Sequence, residues 1–253
     1  MKLHLLASKL LTLLLPFCVA CSGGDDDDGG DGTPTANEWN GKTYLVEFAE
    51  RHWSEPRGQV VLDFAPYVPG FLLEVNGTST SSYDVKAGTL ALDVDDTDPP
   101  AMQDTCNPTS TISGAGNVIS AAAFPMNIRH LAEDLNVSAT VRNLKFTDVL
   151  PVGGVVGMDG EFEATLDARD VAPLFTQLVG AGETPTAQML CDTLSNREKV
   201  DPPAPCQACP HDGAVMCLTL KAEAFGASET SLRITDVSQQ ASQATACQGG
   251  LSD

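Results

Sequence analysis

The sequence predicts a mainly β domain, an antiparallel β-barrel or β-sandwich of about nine strands with a short helical hairpin inserted near 170–196. Three observations lead there. Apolar and polar residues alternate with period two along much of the chain, the pattern of half-buried antiparallel strands. Gly, Asn and Pro pairs separate the alternating runs. Helical periodicity stands out in a single stretch, between 170 and 196.

In chain order, the short strand candidates are Thr43–Phe48, Gln59–Phe64, Phe71–Val75, Thr89–Val94 and Asn117–Ala122. Leu135, Val137, Ala139 and Val141 then alternate with Asn136, Ser138 and Thr140. A phase slip at Arg142-Asn143 precedes Leu144 and Phe146, which predicts a bulge. The clearest strand puts Phe162, Ala164, Leu166 and Ala168 on one face and Glu161, Glu163, Thr165 and Asp167 on the other. Gly153-Gly154 and Asp159-Gly160 lie between these two runs, so 135–168 reads as a long hairpin. Asp170 is placed to cap a helix whose Val171, Leu174, Phe175 and Leu178 share a face, with Gly180 and Gly182 to stop it. Thr184 precedes Pro185, a suitable first helical residue. Met189, Leu190 and Leu194 then line a second helix reaching Asn196. Leu218, Leu220, Ala222 and Ala224 alternate against Thr219, Lys221 and Glu223, and Ser231–Val237 is a last strand candidate.

The chain divides into residues 1–20, 21–37 and 38–253. The first part has the form of a signal peptide: Lys2 and Lys9 flank a basic start, and Leu10–Leu15, Phe17 and Val19 supply a short apolar run. A membrane-spanning helix needs about 20 apolar residues, and this run is shorter. Cys18-Val19-Ala20-Cys21 resembles the lipobox of bacterial lipoprotein precursors, with Cys18 where that family usually carries Leu. The resemblance implies that Cys21 is acylated and becomes the mature N-terminus. Ser22, in place of the Asp that favours inner-membrane retention in that family, implies an outer-membrane or cell-surface location. Residues 21–37 are Gly- and Asp-rich with no large apolar core former, a flexible and self-repelling tether. The remaining residues suffice for one domain with its own core.

The sequence carries 14 Lys and Arg against 34 Asp and Glu. Loss of Lys2 and Lys9 with the signal leaves 12 cations and a charge of −22. Such a surface repels nucleic acid and anionic lipid headgroups, so the expected contact with membrane is through the lipid anchor alone.

Besides Cys18 and Cys21 there are six cysteines: Cys106, Cys191, Cys206, Cys209, Cys217 and Cys247. An even number in an exported chain predicts disulfides. The expectation is that the Cys191 to Cys217 group pairs within itself and with a distant partner, tying the segment after a helix to a strand. Cys206-Gln-Ala-Cys209-Pro-His211, followed by Cys217, also has the residue types of a zinc site or a redox pair. An oxidising compartment opposes the first, and the prolines at 202, 203, 205 and 210 oppose the helix that the second needs.

No nucleophile elbow, zinc-protease or phosphate-loop motif occurs. His52, beside Trp53, reads as packing and His130 as a surface residue. Asp93, Asp95, Asp96 and Asp98 could offer oxygens to calcium, or form a solvated loop. No catalytic residue, resident metal or cofactor is expected. Trp39-Asn-Gly41-Lys-Thr-Tyr44 resembles the first strand of lipocalin-like barrels, although the Gly-x-Trp order of that family is absent. That resemblance implies a carrier for a small apolar ligand as the alternative to the leading expectation, a non-enzymatic envelope lipoprotein that binds an unknown protein or has a structural role. An extracellular hydrolase stands third.

Overall fold

The computed structural model describes residues 36–48, 52–55, 68–77, 79, 81–91, 103–130, 135–173, 184, 186–198 and 206–242. Its strands are β1 (Thr43–Val46), β2 (Trp53–Glu55), β3 (Phe71–Asn76), β4 (Tyr83–Thr89), β5 (Ser110–Ala115), β6 (Val118–His130), β7 (Leu135–Thr147), β8 (Gly160–Asp167), β9 (Cys206–Ala208), β10 (Val215–Phe225) and β11 (Ser228–Thr230). The helices are α1 (Ala36–Trp39), α2 (Ala168–Val171), α3 (Ala187–Glu198) and α4 (Gln239–Ser242). Among the described residues, no helix is long and apolar enough to cross a membrane.

All strands join one antiparallel sheet in the order β11-β1-β3-β4-β5-β6-β7-β8-β10-β2, with β9 beside β10. β10 lies next to one end of this strip and β11 forms the other end. Yet β11 opens at Ser228, directly after β10 closes at Phe225. Continuous chain therefore holds the two ends together, and the sheet curls into a barrel-like shell. No second sheet faces it among the described residues.

Alternation decides which side chains fill the concave face. Phe162, Ala164 and Leu166 on β8, and Leu218, Leu220 and Ala222 on β10, are all buried. The curl brings rings from distant strands together: Phe71 on β3 lies 5.7 Å from Phe124 on β6, 5.4 Å from Phe146 on β7 and 6.1 Å from Phe162 on β8, centroid to centroid. Phe48 adds contacts at 4.9 Å to Phe162, 5.1 Å to Trp53 and 5.1 Å to Phe225. These spacings lie in the range favoured by tilted and edge-on aromatic pairs.

A smaller apolar cluster sits on the outside. Leu72, Leu90 and Ile234, with Leu45 and Leu232 beside them, pack an extended strap over β1, β3 and β4. Polar contacts fasten the strap. Gln103 donates to Thr235 O at 2.9 Å and accepts from Thr235 N at 2.7 Å, and Lys86 Nζ reaches both Ile234 O at 2.9 Å and Asp236 at 2.7 Å. The neighbouring 103–109 loop is fixed by a buried network in which Asn107 Nδ2 donates to Asp104 at 2.7 Å and to Asn127 O at 2.8 Å. Asn127 Nδ2 donates to Cys106 O at 2.7 Å, so the network is internally satisfied as burial of polar groups requires.

Several expectations move. The bulge is where the phase slip puts it: the β7–β8 register shifts between Arg142 and Lys145, and Asn143 has φ 50°. β4 and β5 are strands without an earlier candidate, because Gly88, Ser113 and Gly114 blur their alternation. The Asn117–Ala122 candidate is the start of the much longer β6. Pro125 is tolerated there because β5 pairs only with residues 118 to 120, so the missing N–H breaks no ladder on that side. Ser231–Val237 is the strap and not a strand. Gln59–Phe64, residues 92–94 and residues 174–180 of the expected helix lie outside the described residues.

β4 and β5 have one tight crossing. Tyr83 stands opposite Gly114, its hydroxyl donates to Gly116 O at 2.9 Å, and a Cβ on Gly114 would come within 2.0 Å of the ring. Gly114→Ala is therefore expected to cost about 1–3 kcal/mol through overpacking. Phe71→Ala is expected to cost about 3–5 kcal/mol through the hole left among four rings. Urea unfolding measures both, and losses under about 0.5 kcal/mol would contradict this packing.

Candidate functional site

β8 ends at Asp167, which caps α2: its backbone is extended and its carboxylate accepts from Arg169 N at 2.9 Å. The helix thus starts three residues earlier than the Asp170 cap that the sequence suggests. The Arg169 guanidinium returns to the same carboxylate with Nε at 2.9 and 3.1 Å and Nη2 at 2.6 Å, a forked pair.

Sheet register and a disulfide complete the cluster. Cys217 on β10 stands directly opposite Asp167 on β8, and Cys217 is bonded to Cys209. That bond folds the 209–214 turn over the end of β8, with Gly213 N donating to Cys209 O at 2.9 Å. His211 Nε2 then lies 3.5 Å from Asp167 Oδ2 and 3.6 Å from Asp212 Oδ2. Arg169 Nη2 sits among all three, 2.7 Å from Asp212 Oδ2 and 3.3 Å from His211 Nε2. Asp167 was expected on the solvent face of its strand, but its side chain is only 4% exposed. The turn covers it.

Burial would raise the Asp167 carboxyl, but the hydrogen bonds and charge of Arg169, with a smaller contribution from His211, hold it below the usual aspartate value. Asp212 is lowered first by the hydrogen bond from Ala214 N and then by Arg169. Its two carboxylate partners push the Arg169 guanidinium up, so it stays charged.

The Asp167, Cys209 and His211 donor atoms fall within 4.8 Å of one another, close enough to hold a metal ion. Two features oppose that use. Cys209 Sγ is in a disulfide, so it is neither a thiolate nor, at 3.8 Å from Asp167 Oδ2, a hydrogen donor. The guanidinium already supplies the positive charge the carboxylates face. The arrangement is a static charge clamp that joins α2, β8 and the 209–214 turn.

The other cysteines complete the picture. Cys191 on α3 bonds Cys206 on β9, so the two halves of Cys206-x-x-Cys209 go to different partners. This group pairs wholly within itself and ties helix to strand. Cys106 is also disulfide-bonded, its partner lying outside the described residues. These bonds point to an oxidising, non-cytoplasmic location.

A second concave feature lies at the edge of the shell. A half-open cleft of about 370 Å³ is lined by Trp39, Asn117, Asp148, Leu150, Val155 and Asp159 among others. Asn117 Nδ2 donates to Asp148 Oδ1 at 2.8 Å.

No family model, no curated protein and no solved structure matches this chain.

Of the residues singled out in the sequence, Cys21, Cys247, Asp93, Asp95, Asp96 and Asp98 lie outside the described residues. His52 stands beside β2 with its ring 6.0 Å from Phe225, and His130 pairs with Leu135 at the end of β6. Trp39 is on α1 and not on the opening strand, and its indole donates to Pro151 O at 2.6 Å. Sequence reading missed Asp167, Arg169 and Asp212. Their only local signal is an Asp-x-Arg at a strand end, because the partners are brought together by the disulfide and the β8–β10 register.

The pH dependence of the clamp follows from the sign of the Asp167 shift. A carboxyl held below its unfolded value, about 3.9, stabilises the fold above that pH and ceases to do so as pH falls through its folded value. In Arg169→Met the same carboxylate is buried without its forked guanidinium, and acidification relieves it. The difference in urea midpoint between parent and R169M is therefore expected to be large at neutral pH and to narrow as pH falls through the aspartate range. A difference independent of pH would contradict the clamp.

Proposed function

We propose that this chain is an exported, lipid-anchored envelope protein whose disulfide-braced β domain acts by binding and not by catalysis. The observation that carries the reading is the separation of Cys206 and Cys209 into two disulfides. It removes the thiol chemistry of the one motif suited to zinc or redox turnover, and Arg169 neutralises the carboxylates beside it. The apolar run, Cys21 and the Gly/Asp tether support anchoring, and Ser22 favours outer-membrane sorting or surface display. The acid-rich surface supports a role without nucleic acid.

The carrier reading loses ground because rings from β3, β6, β7 and β8 meet across the concave face. An interior occupied in this way offers no space for an apolar guest along that stretch. What remains for recognition is the outer surface and the ends of the shell, where concave features and exposed apolar side chains occur.

Intact mass of the membrane-extracted protein tests anchoring. The expected species begins at Cys21 with acyl chains attached, and Cys21→Ser is expected to move the protein out of the membrane fraction. An unacylated N-terminus in the wild-type protein would overturn the anchored reading.

A further inference from the structure

The connection between β7 and β8 is built to hold apolar side chains in water. Val155 is 70% exposed, Val156 43% and Met158 57%, the large apolar residues most exposed in the described structure apart from Val215. On a slack loop such side chains would fold inward. This loop is not slack. Val152 and Val155 exchange backbone hydrogen bonds at 3.1 and 3.0 Å around Gly153 (φ 60°) and Gly154 (φ 74°), a two-residue turn that only such positive φ values permit.

Four further contacts pin the loop from different sides. Asp148 N donates to Asn117 O at 3.0 Å, Ala227 N to Val149 O at 2.8 Å, Trp39 Nε1 to Pro151 O at 2.6 Å and Gly154 N to Glu38 at 2.7 Å. Gly226 lies so close that a Cβ there would meet Gly157 O at 2.0 Å. The ordering cost that weakens binding by mobile loops is thus already met in the folded chain.

The cleft beside this loop adds charge. Asp148 and Asp159 both line it, and among the described residues no Lys, Arg or His pairs with either. In a chain of net charge −20, these carboxylates favour a cationic group. The volume, about 370 Å³, is at the small end for ligand pockets and suits one long side chain. A ligand confined to it would leave Val156 and Met158 in water, whereas a polypeptide crossing the rim would cover them. A lipid surface fits less well, since it would have to accept two uncompensated carboxylates next to the apolar tips.

We propose that the cleft and the 152–159 loop together dock a protein segment that directs one Arg or Lys side chain toward Asp148 and Asp159 while its apolar neighbours cover Val155, Val156 and Met158. The inference rests on the binding-module reading and names the partner's chemistry. The segment has a basic anchor between apolar residues, the combination of a buried cationic hot spot with an apolar surround. Long-range attraction steers it to the cleft, so binding weakens with salt.

Fluorescence anisotropy with the full chain tests this, using a short labelled peptide with one central arginine between leucines and a counterpart with glutamate at the centre. The arginine peptide is expected to bind, the glutamate peptide to bind at least about tenfold more weakly, and added salt to reduce the difference. Asp148→Asn combined with Asp159→Asn keeps shape and is expected to lose about tenfold in affinity and most of the salt dependence. Val155→Ser combined with Met158→Ser is expected to weaken both peptides alike, with circular dichroism to verify the fold. Equal affinity for the two peptides, unchanged binding in either variant, or free arginine binding as tightly as the peptide would overturn the proposal. So would binding of zwitterionic phosphatidylcholine vesicles in place of peptide. Failure of these arms with acyl chains present on Cys21 removes the docking chemistry alone, whereas an unacylated Cys21 with peptide bound removes the anchor alone.

Discussion

Phe71 lies where the aromatic side chains of strands far apart in the sheet converge, and the shell can curl only because rings from β6, β7 and β8 fill the space that it faces. The antiparallel ladder supplies the strip, and its natural twist supplies a direction of curvature. The extent of the curl is a matter of apolar burial on the concave side, assisted by the continuity of β10 into β11. Interiors are packed to near-crystalline density, so a face filled in this way has little freedom to open for a guest. At the rim the β7–β8 connection folds into its own small hairpin.

The same ladder positions the charged cluster. Pairing Asp167 with Cys217 is a consequence of the β8–β10 register, and the Cys209–Cys217 bond then lays His211 and Asp212 over the carboxylate. Arg169 completes the arrangement from the first turn of α2. A buried carboxylate at a strand end would be costly without a cation, and one with a forked guanidinium is satisfied. The chemistry that three nearby donor residues might suggest is thus used up internally, by a disulfide and a guanidinium that both belong to the fold.

Much of this was legible in the chain. The β class, the long hairpin over 135–168, the bulge at Arg142-Asn143 and the inward row Phe162, Ala164 and Leu166 all follow from period-two alternation, which sets the face of every side chain on a strand. β4 and β5 were harder to read, since Gly88, Ser113 and Gly114 interrupt the pattern and Tyr83 fills the place of a side chain that Gly114 lacks. Barrel against sandwich could not be separated, because the distinction lies in how far one continuous sheet curls and not in any local pattern. The buried Asp104, Asn107 and Asn127 network and the Asp167 cluster were also invisible, their members being ordinary polar residues until tertiary contacts pair them. Even the cysteine group gave its grouping but not its pairs.

The central claim is that the concave face of the curled sheet is filled by aromatic rings from strands far apart in it. Nuclear Overhauser contacts in protein carrying isotope-labelled phenylalanine measure this directly. Cross-peaks are expected between the rings of Phe71 and Phe146 and between Phe71 and Phe162, whose centroids lie 5.4 and 6.1 Å apart. Their absence, with contacts instead confined to rings on adjacent strands, would mean a flat or hollow sheet and would contradict the account.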